Sequence, residues 1–408
     1  MAREALFCRP WQNITGNETA YEAFLMFSHS HIGIASCVIY QPLRYGVFGE
    51  FKTVPENVTW RIHFSIGNLS ADLLTEGALD ATIQVHLCIE IYFRRKSHMG
   101  IVVFGAVFVD IKGNPFNIFI PQGRNEGMVE NVHGGVSRNV VEDIANIELR
   151  PTFVSLVDDS AMGDEVINKL KNHKVNTDYI RKTPDGMGTW LAIFDNDGDV
   201  YASISKRPNL HPITDILDEQ GDEIFTDADS ICVEIDMDKD VIKRIFKLAK
   251  KYNKPVYGVV SNMSIAVERR DFITDTDCFV CNIQEAGLLF SDDYCEKTPE
   301  EMEAILAKKI SGAKIKQMIV TMGDKGAVYA TLNGEHGFCP AKNVHVKDTT
   351  GAGDSFFAGV AIGQTYGKTL AESCEIGSRL AASVICNSEN VCPRFQPEEF
   401  DLDVVIQD

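Results

Sequence analysis

The chain has 408 residues, of which 45% are hydrophobic and 24% are charged, and it carries a net charge of −19. A chain of this length can bury a large core and accommodates two or three structural units. Its acidic balance argues against a nucleic-acid surface, which needs a basic patch, and no apolar run approaches the ~20 residues that span a bilayer. We therefore expect neither a nucleic acid nor a membrane as a partner.

The amino terminus has none of the features of a secretory signal, so we expect a cytoplasmic protein. The 11 cysteines are then reduced thiols. One CxxC spacing joins Cys278 and Cys281 within a short apolar run that predicts a buried strand. No second pair accompanies it, so we interpret these two cysteines as structural and not as metal ligands.

Charge is distributed unevenly along the chain. Residues 1–98 hold 8 basic and 9 acidic residues, which leaves a net charge of −18 for residues 99–408. The first 98 residues show no sustained period, so their structure is doubtful. They are either a small accessory domain or translated upstream sequence. The second interpretation rests on Arg94–Lys96, whose codons can form a ribosome-binding site just before an initiator at Met99. An ideal first strand, Ile101–Phe104, follows that methionine.

Regular periodicities begin at Met99. Continuous apolar runs predict strands at 101–109, 153–157, 231–235, 256–260 and 318–322. Helical patterns alternate with them at 136–147, 241–251 and 300–310. Apolar strands that are separated by helices predict an α/β fold, in which a mostly parallel sheet is covered by helices on both faces.

Two stretches interrupt this alternation. Residues 114–127 are rich in Gly, Asn and Pro, and residues 188–207 have the pattern of a hairpin around Asp195–Gly198. Together they predict an inserted β flap, or lid, over about residues 110–130 and 186–208.

The densest signal for chemistry is the run DTTGAGDSFFAG, which starts at Asp348. Gly351, Ala352 and Gly353 precede an apolar run that is compatible with a helix. At such a helix start, unpaired N–H groups and the helix dipole bind anions, and glycine lets the backbone approach closely. Asp354 follows directly and can take a proton from an attacking alcohol, although an isolated carboxylate here can also simply stabilise a helix start. The full run predicts a phosphoryl-transfer site.

This run resembles the C-terminal signature of the ribokinase/PfkB family of sugar kinases, and the resemblance covers residues 99–408. It implies an ATP-dependent kinase with a ribokinase-like fold and a small β-sheet lid. In that family, the position of Asp354 is the catalytic base, and Gly351–Gly353 surround the transferred phosphoryl group.

Further features of the family follow in the expected order. Asp110 ends the first apolar run and resembles the Asp that binds sugar hydroxyls. The segment Gly134–Asn139 resembles the diglycine signature, in which Gly134 and Gly135 admit the substrate and Asn139 hydrogen-bonds it. Taken alone, Asp110 is an ordinary residue at the end of a strand. The polar end of a parallel strand is where α/β sheets bind ligands, so Asp110 and Asn139 can converge there.

Two more segments resemble the nucleotide side of the family's site. Asn282 and Glu285 match its NxxE motif, in which Glu285 organises Mg²⁺ through water. The segment Thr321–Gly326 resembles the one that lines the nucleotide phosphates. It implies ATP contacts at four positions, Thr321, Gly323, Lys325 and Gly326. From the residues alone, Glu285 is a partner for a helix dipole, and Lys325 either reaches a phosphate or caps an exposed turn.

Asp348 and Thr350 resemble a pair that, with backbone carbonyls, holds a monovalent cation such as K⁺ in this family. The sequence does not identify the remaining carbonyl ligands within residues 384–394. It contains no GxxxxGK[ST] motif and no GxGxxG after a strand, so neither a P-loop kinase nor a dinucleotide-dependent dehydrogenase is supported.

The resemblance implies that the substrate is a sugar or a nucleoside. The segment GGVSRNVVEDIA, which starts at Gly134, resembles the pseudouridine kinase branch. A nucleoside is therefore slightly preferred. Arg138 in this segment either stacks on a base, pairs with a phosphate, or is a solvated helix residue. Four basic residues near the flap, Lys112, Arg124, Lys206 and Arg207, keep a phosphosugar kinase as an alternative. A catalytically silent sensor is a further alternative, and a homodimer through the flap is implied by the resemblance.

Overall fold

The computed structural model describes residues 100–196 and 200–402, together with the backbone of five strands before residue 77. The chain divides into two units, Met1–Ser97 and His98–Asp408. In the first unit, one antiparallel sheet contains β1 (Ala5–Gln12), β2 (Glu18–Met26), β3 (Ala35–Pro42), β4 (Thr59–Ile66) and β5 (Leu69–Glu76), in sequence order.

These five strands were not predicted from the sequence. Strand β4 does alternate polar and apolar residues strictly, a signal that was missed, whereas the other four strands do not, as in Leu69–Glu76, where Leu73 and Leu74 are adjacent. The interpretation of residues 1–98 as translated upstream sequence stays a prediction, and Met99 lies outside the described residues.

The central sheet of the second unit consists of nine described strands. They are β6 (Gly100–Phe104), β9 (Thr152–Val157), β10 (Ile180–Lys182), β13 (Ala228–Glu234), β14 (Val256–Val259), β15 (Cys278–Asn282), β16 (Gln317–Thr321), β17 (Ala327–Thr331) and β18 (His336–Cys339). Their spatial order is β10-β9-β6-β13-β14-β15-β16-β17-β18. All neighbours pair in parallel up to β16, and the last two strands are antiparallel. The predicted α/β fold with a mostly parallel sheet is confirmed.

Helices cover both faces of this sheet. They are α1 (Val136–Asn146), α2 (Ala161–Asn172), α3 (Ile213–Asp227), α4 (Lys239–Tyr252), α5 (Met263–Ala266), α6 (Arg270–Asp275), α7 (Ile283–Phe290), α8 (Pro299–Ala313), α9 (Ala352–Thr365) and α10 (Leu370–Ile385). Along β6, Val102 and Phe104 belong to one hydrophobic core, whereas Ile101 and Val103 belong to a second. Because successive side chains of a strand point to opposite faces, a core lies on each side of the sheet.

The apolar run predicted as one strand at 101–109 is in fact two strands. Strand β6 ends at Phe104 and β7 (Val107–Pro115) begins three residues later. The reason lies at Gly105, where an ideal Cβ would be 1.9 Å from Ser137 Oγ. The start of α1 therefore packs directly against the backbone at this turn, which only glycine permits, and the chain leaves the central sheet here.

A second sheet of four strands forms the lid. It contains β7, β8 (Gly127–Gly134), β11 (Met187–Phe194) and β12 (Val200–Lys206), in the order β12-β11-β7-β8. Strand β11 runs parallel to β7, and the other neighbours are antiparallel. The predicted flap is thus a sheet of its own, although Asp197 and Gly198 of the predicted turn lie outside the described residues.

The Cys278–Cys281 run is a buried strand, β15, as predicted, and both thiols are free. Burial raises the pKa of Cys278 to about 12. Within the described part of the chain, no group of three or more His, Cys, Asp or Glu side chains could hold a metal ion, and no helix is long and apolar enough to cross a membrane.

Candidate active site

The loop before α9 forms an open helix start. Gly351 is the N-cap, with a φ of 83°, and no side chain caps the helix. An ideal Cβ on Gly351 would lie 2.1 Å from the Asn390 carbonyl oxygen, so this glycine is required both by its backbone conformation and by a close neighbour. At Gly353, no described atom lies within 4 Å of an ideal Cβ. The first turn of α9 is therefore packed against the Asn390 backbone at Gly351, whereas the space beside Gly353 is open.

Asp354 lies in that first turn and is half-buried. Its Oδ2 accepts a hydrogen bond from Asn139 Nδ2 at 2.7 Å. Burial raises the pKa of Asp354 to about 7, although the bond from Asn139 and the charge of Arg138 oppose the shift. The negative charges of Glu285 and Asp110 raise this pKa further. At neutral pH the carboxylate can therefore both accept and release a proton, as a general base must.

Arg138 belongs to α1 and is buried, with 1% of its side chain exposed. Its Nη1 donates to Asn139 Oδ1 at 2.6 Å and lies 3.4 Å from Glu142 Oε2. Lys169 Nζ lies 3.0 Å from Glu142 Oε1. Burial opposes ionisation of Glu142, but Arg138 and Lys169 outweigh it and hold the pKa of this carboxyl below its usual value. The ion pair one helical turn away draws the guanidinium inward, so Arg138 is not the solvated helix residue that one alternative predicted, and its contact with a base or a phosphate stays a prediction.

The diglycine segment makes room for Asp110. An ideal Cβ on Gly134 would lie 2.4 Å from Asp110 Oδ2, and one on Gly135, which has a φ of 100°, would lie 2.7 Å from the Ala106 carbonyl oxygen. The two glycines thus make room for a carboxylate and a neighbouring strand, and their contact with a substrate stays a prediction. Burial raises the pKa of Asp110, although Lys112 opposes the shift.

Asn282 and Glu285 form a capping box at the start of α7. Asn282 Oδ1 accepts from the Glu285 N–H, and Glu285 Oε2 accepts from the Asn282 N–H, both at 2.8 Å. Burial raises the pKa of Glu285. Glu285 Oε2 therefore caps the start of α7, which agrees with the interpretation of Glu285 as a partner for the helix dipole. The other carboxylate oxygen, Oε1, takes no part in the capping box.

The Thr321–Gly326 segment is a turn after β16. Gly323 and Gly326 have φ values of 63° and 102°. Lys325 is exposed, and its Nζ donates to the Lys297 carbonyl at 3.2 Å. This contact matches the turn-capping alternative for Lys325. The contact of Lys325 with a phosphate stays a prediction, as do the ATP contacts of Thr321, Gly323 and Gly326.

Asp348 and Thr350 are hydrogen-bonded to each other. The N–H and Oγ1 of Thr350 donate to Asp348 Oδ1 at 2.9 and 2.8 Å. Burial would raise the pKa of Asp348, but these bonds outweigh it and the pKa is lowered. Within the stretch 384–394, the Asn390 carbonyl is the group that packs against the adjacent Gly351.

Glu234 and Asp236 were not identified from the sequence. Glu234 Oε1 accepts from the N–H groups of Ser137 and Ala106 at 2.9 and 3.3 Å, so it joins β13 to the start of α1 and to the lid connection. Burial raises the pKa of Glu234 to about 7, and Asp236 adds to the shift. The signal was present, because both carboxylates follow an apolar strand as Asp110 does.

Asp143 was also missed. Its Oδ2 accepts from Ser355 Oγ at 2.7 Å and its Oδ1 from the Cys392 N–H at 2.6 Å. Burial raises its pKa to about 7. This carboxyl joins α1, α9 and the C-terminal segment behind Asp354. An acidic residue inside an otherwise buried helix was the available signal.

The lid and the carboxyl ends of the parallel strands meet at the edge where α/β sheets bind their ligands. An uncapped helix start with a carboxylate in its first turn suits the transfer of a phosphoryl group to a hydroxyl. Fold and site together therefore define a small-molecule kinase. Residues 99–392 match the pfkB family of carbohydrate kinases, and the chain belongs to this family. It is an ATP-dependent kinase of the carbohydrate and nucleoside class.

Individual relatives differ in their named substrates. The chain is 34% identical to the guanosine-inosine kinase of Exiguobacterium acetylicum over 295 residues, which cover 71% of this chain and 95% of that one. It is 23% identical to the pseudouridine kinase of Escherichia coli over 67% of this chain and 86% of that one. The ribokinase of Arabidopsis thaliana, solved with ribose and ATP, superimposes with a TM-score of 0.66 at 21% identity, covering 76% of this chain and 100% of that one.

Proposed function

We propose that this enzyme transfers a phosphoryl group from ATP to a ribose hydroxyl of a purine nucleoside. The observation that carries the proposal is a cavity of ≈190 Å³ beside the lid, which is lined in part by Ala106, Phe108, Leu210 and Met237. A cavity of about 150 Å³ can hold a benzene ring, so this one has room for a flat base. The 34% identity with a guanosine-inosine kinase supports a purine rather than the pseudouridine that the sequence had slightly favoured.

The lid links this cavity to the predicted sugar site. Phe108 and Asp110 lie on the same face of β7, about 7 Å apart along the strand. Trp190 is paired directly with Asp110 on β11, so its side chain belongs to the same face. A nucleoside whose ribose is bound by Asp110 and Asn139 would therefore bring its base to Phe108.

A phosphosugar substrate has less support. Of the basic residues near the lid, Lys206 Nζ lies 2.9 Å from Asp185 Oδ1, and Arg207 Nη2 lies 2.8 Å from Asp236 Oδ2. Both charges are already balanced by carboxylates, which weakens them as phosphate ligands. A silent sensor also has little support, because the base and the helix start that catalysis needs are both intact.

In the proposed reaction, Asp354 Oδ1 or Oδ2 accepts the proton of the attacking hydroxyl while Asn139 holds the carboxylate in place. Asp110 orients the ribose through its hydroxyls. The backbone N–H groups at the start of α9 stabilise the negative charge of the transferred group. ATP contacts are assigned to the Thr321–Gly326 turn.

We assign the cations to two sets of oxygens. Bound Mg²⁺ would neutralise charge on the phosphates, and Glu285 Oε1 suits it, because Mg²⁺ needs few carboxylates and keeps several waters. Asp348, Thr350 and the Asn390 carbonyl are hard oxygen ligands of the kind that K⁺ takes, next to Gly351. No step of the reaction at Asp354 depends on this second assignment.

The test is a panel of acceptors with ATP, comprising guanosine, inosine, adenosine, pseudouridine, uridine, ribose, fructose and their phosphates. ADP release and the mass of the product are measured together. We expect the highest kcat/KM for a purine nucleoside and a kcat that is lower by about 10²- to 10⁴-fold in an Asp354→Asn variant. Activity confined to free sugars or sugar phosphates would refute the nucleoside assignment, and binding without ADP release would refute catalysis.

We further propose that the catalytic unit starts at Met99, that the enzyme is cytoplasmic, and that it dimerises through the lid. The start is supported by the family match from residue 99, and the location by free thiols at all described cysteines. Mass spectrometry of the protein made from its native gene tests the interpretation of residues 1–98 as translated upstream sequence, because a product that begins before Met99 would contradict it.

A further inference from the structure

We propose that Arg269 recognises the 6-oxo group of the purine base, so that the cavity selects 6-oxopurine nucleosides over 6-aminopurine nucleosides. This inference rests on the proposed nucleoside kinase activity and specifies its substrate. It assigns a base-recognising role to a side chain that no sequence motif identified.

Arg269 ends the short 3-10 turn Val267–Arg269 and lines the cavity. Its Nη1 is buried and has no hydrogen-bond partner among the described residues. A buried donor without an acceptor destabilises a protein, so such groups usually have a partner in the functional complex. Because a guanidinium has only donors, the missing partner must be an acceptor on a ligand or a bound water.

The charge of the cavity favours a neutral ligand over an anion. Its lining contains two cations, Arg207 and Arg269, and two carboxylates, Asp236 and Asp238. Asp236 Oδ2 accepts from Arg207 Nη2 and from Ser261 Oγ, both at 2.8 Å. Arg207 is thus already paired and held in place, which leaves Arg269 as the guanidinium with unused donor capacity. Formal charges cancel, so an uncharged polar ring suits this lining better than a phosphate does.

A 6-oxopurine supplies the acceptors that Arg269 lacks. Its O6 and N7 both accept, and a guanidinium donates to that pair of atoms in a bidentate geometry. A 6-aminopurine has an amino donor at the same position, which would face Arg269 and leave Nη1 unpaired. A good bidentate contact of this kind discriminates by about 5- to 150-fold.

A second residue that lines the cavity, Phe108, is suited to contact a flat ring. Phe108 lies next to Gly188, where an ideal Cβ would be 2.4 Å from the Phe108 ring. The absence of a side chain at Gly188 therefore lets the ring lie close against β11. Aromatic faces bind bases of any identity by stacking, so Phe108 supplies affinity and Arg269 supplies selection.

The first experiment uses the unmodified enzyme and compares inosine, purine riboside and adenosine as acceptors. Purine riboside differs from inosine in lacking the oxo group, and adenosine carries an amino group there. We expect kcat/KM to fall about 5- to 150-fold from inosine to each of the other two. Equal values for the three nucleosides would overturn the inference while leaving the nucleoside kinase proposal intact. Failure to phosphorylate any nucleoside would overturn both.

The second experiment uses Arg269→Gln, with Arg244→Gln as the matched control, because Arg244 is an exposed arginine that pairs with Asp218 on the surface. Binding of inosine and adenosine is measured by calorimetry as well as kcat and KM. We expect Arg269→Gln to lose most of the preference for inosine, mainly through KM, and the control to keep it. An unchanged preference in a folded Arg269→Gln enzyme would refute the role of Arg269. If that variant does not fold, the comparison of nucleosides with unmodified enzyme still decides the question.

Discussion

Asn139 Nδ2 donates a hydrogen bond of 2.7 Å to Asp354 Oδ2, which joins two side chains that are 215 residues apart in the chain. The other end of the same amide, Oδ1, accepts from Arg138 Nη1 at 2.6 Å. Because a guanidinium only donates, Arg138 fixes which end of the amide faces Asp354. The proposed base is therefore oriented by an arginine that is buried on the far side of Asn139.

Loss of Arg138 should affect stability and turnover separately. Removing Arg138 leaves the buried Glu142 with the partly exposed Lys169 and takes a hydrogen bond from Asn139, so Arg138→Met should destabilise the enzyme by about 1–3 kcal/mol, measured by urea denaturation. It should also lower kcat, because Asn139 loses its fixed orientation. In the double variant Arg138→Met/Glu142→Met, most stability should return while kcat stays low. Recovery of both would show that Arg138 is purely structural.

Replacement of the proposed base should lower turnover sharply without unfolding the enzyme. Asp354→Asn keeps the size of the side chain and removes the proton acceptor, so kcat should fall by about 10²- to 10⁴-fold. KM should change much less, because the hydroxyl-binding groups remain. Asp215→Asn is the matched control, since Asp215 also lies in the first turn of a helix but is exposed on α3. Near-normal turnover of Asp354→Asn would refute the assignment.

Sequence patterns predicted the parts of this enzyme that depend on local order. Apolar runs predicted the parallel strands, and contiguous motifs predicted Asp354, Asp110 and Asn139 as site residues. In the fold, Asn139 donates a hydrogen bond to Asp354, and the charge of Asp110 raises the pKa of Asp354. What could not be predicted was the direction of a long side chain. Arg138 lies in the diglycine segment next to Asn139, yet its ion pair with Glu142 one turn away decides that it points inward.

Residues whose role depends on tertiary contacts were missed for a related reason. Arg269 belongs to no motif, and its partnerless Nη1 becomes visible only when the turn that carries it packs beside the lid connection. Glu234 and Asp143 hold backbone groups that lie about 100 and 250 residues away in sequence. No local pattern encodes such partners.

The outer face of the lid should form a dimer interface. Register places Ile111, Leu191 and Ile204 on the face opposite to Asp110, and Val129 and Ile193 share it. Val129 and Ile204 are 72% and 71% exposed, so an apolar patch faces solvent, which is typical of an interaction site. A second copy of the same lid is the partner that we propose.

Charge in this patch should therefore separate the subunits. We expect Ile204→Glu to halve the mass measured by light scattering, because a buried carboxylate cannot find a partner across the interface. Leu332→Glu is the control, since Leu332 is 45% exposed in the turn between β17 and β18. A monomeric unmodified enzyme, or an Ile204→Glu variant that stays dimeric, would contradict the proposal.

The pH dependence of activity should follow Asp354. Because its pKa is about 7 and the ionised form is the base, kcat/KM should rise tenfold per pH unit below about 7 and level off above it.

The stability of the folded enzyme should respond to pH in the opposite direction. A carboxyl whose pKa is raised by folding binds its proton more tightly in the folded state, so its contribution is full below about 4 and is lost as the pH rises through about 7. Asp354→Asn removes this loss and should therefore raise Tm at pH 8 but not at pH 4. The measurement is a pair of thermal melts of unmodified enzyme and variant at the two pH values. A variant that melts below the unmodified enzyme at pH 8 would mean that Asp354 is stabilised as a carboxylate, and the ionisation that limits activity at neutral pH would then have to belong to another group.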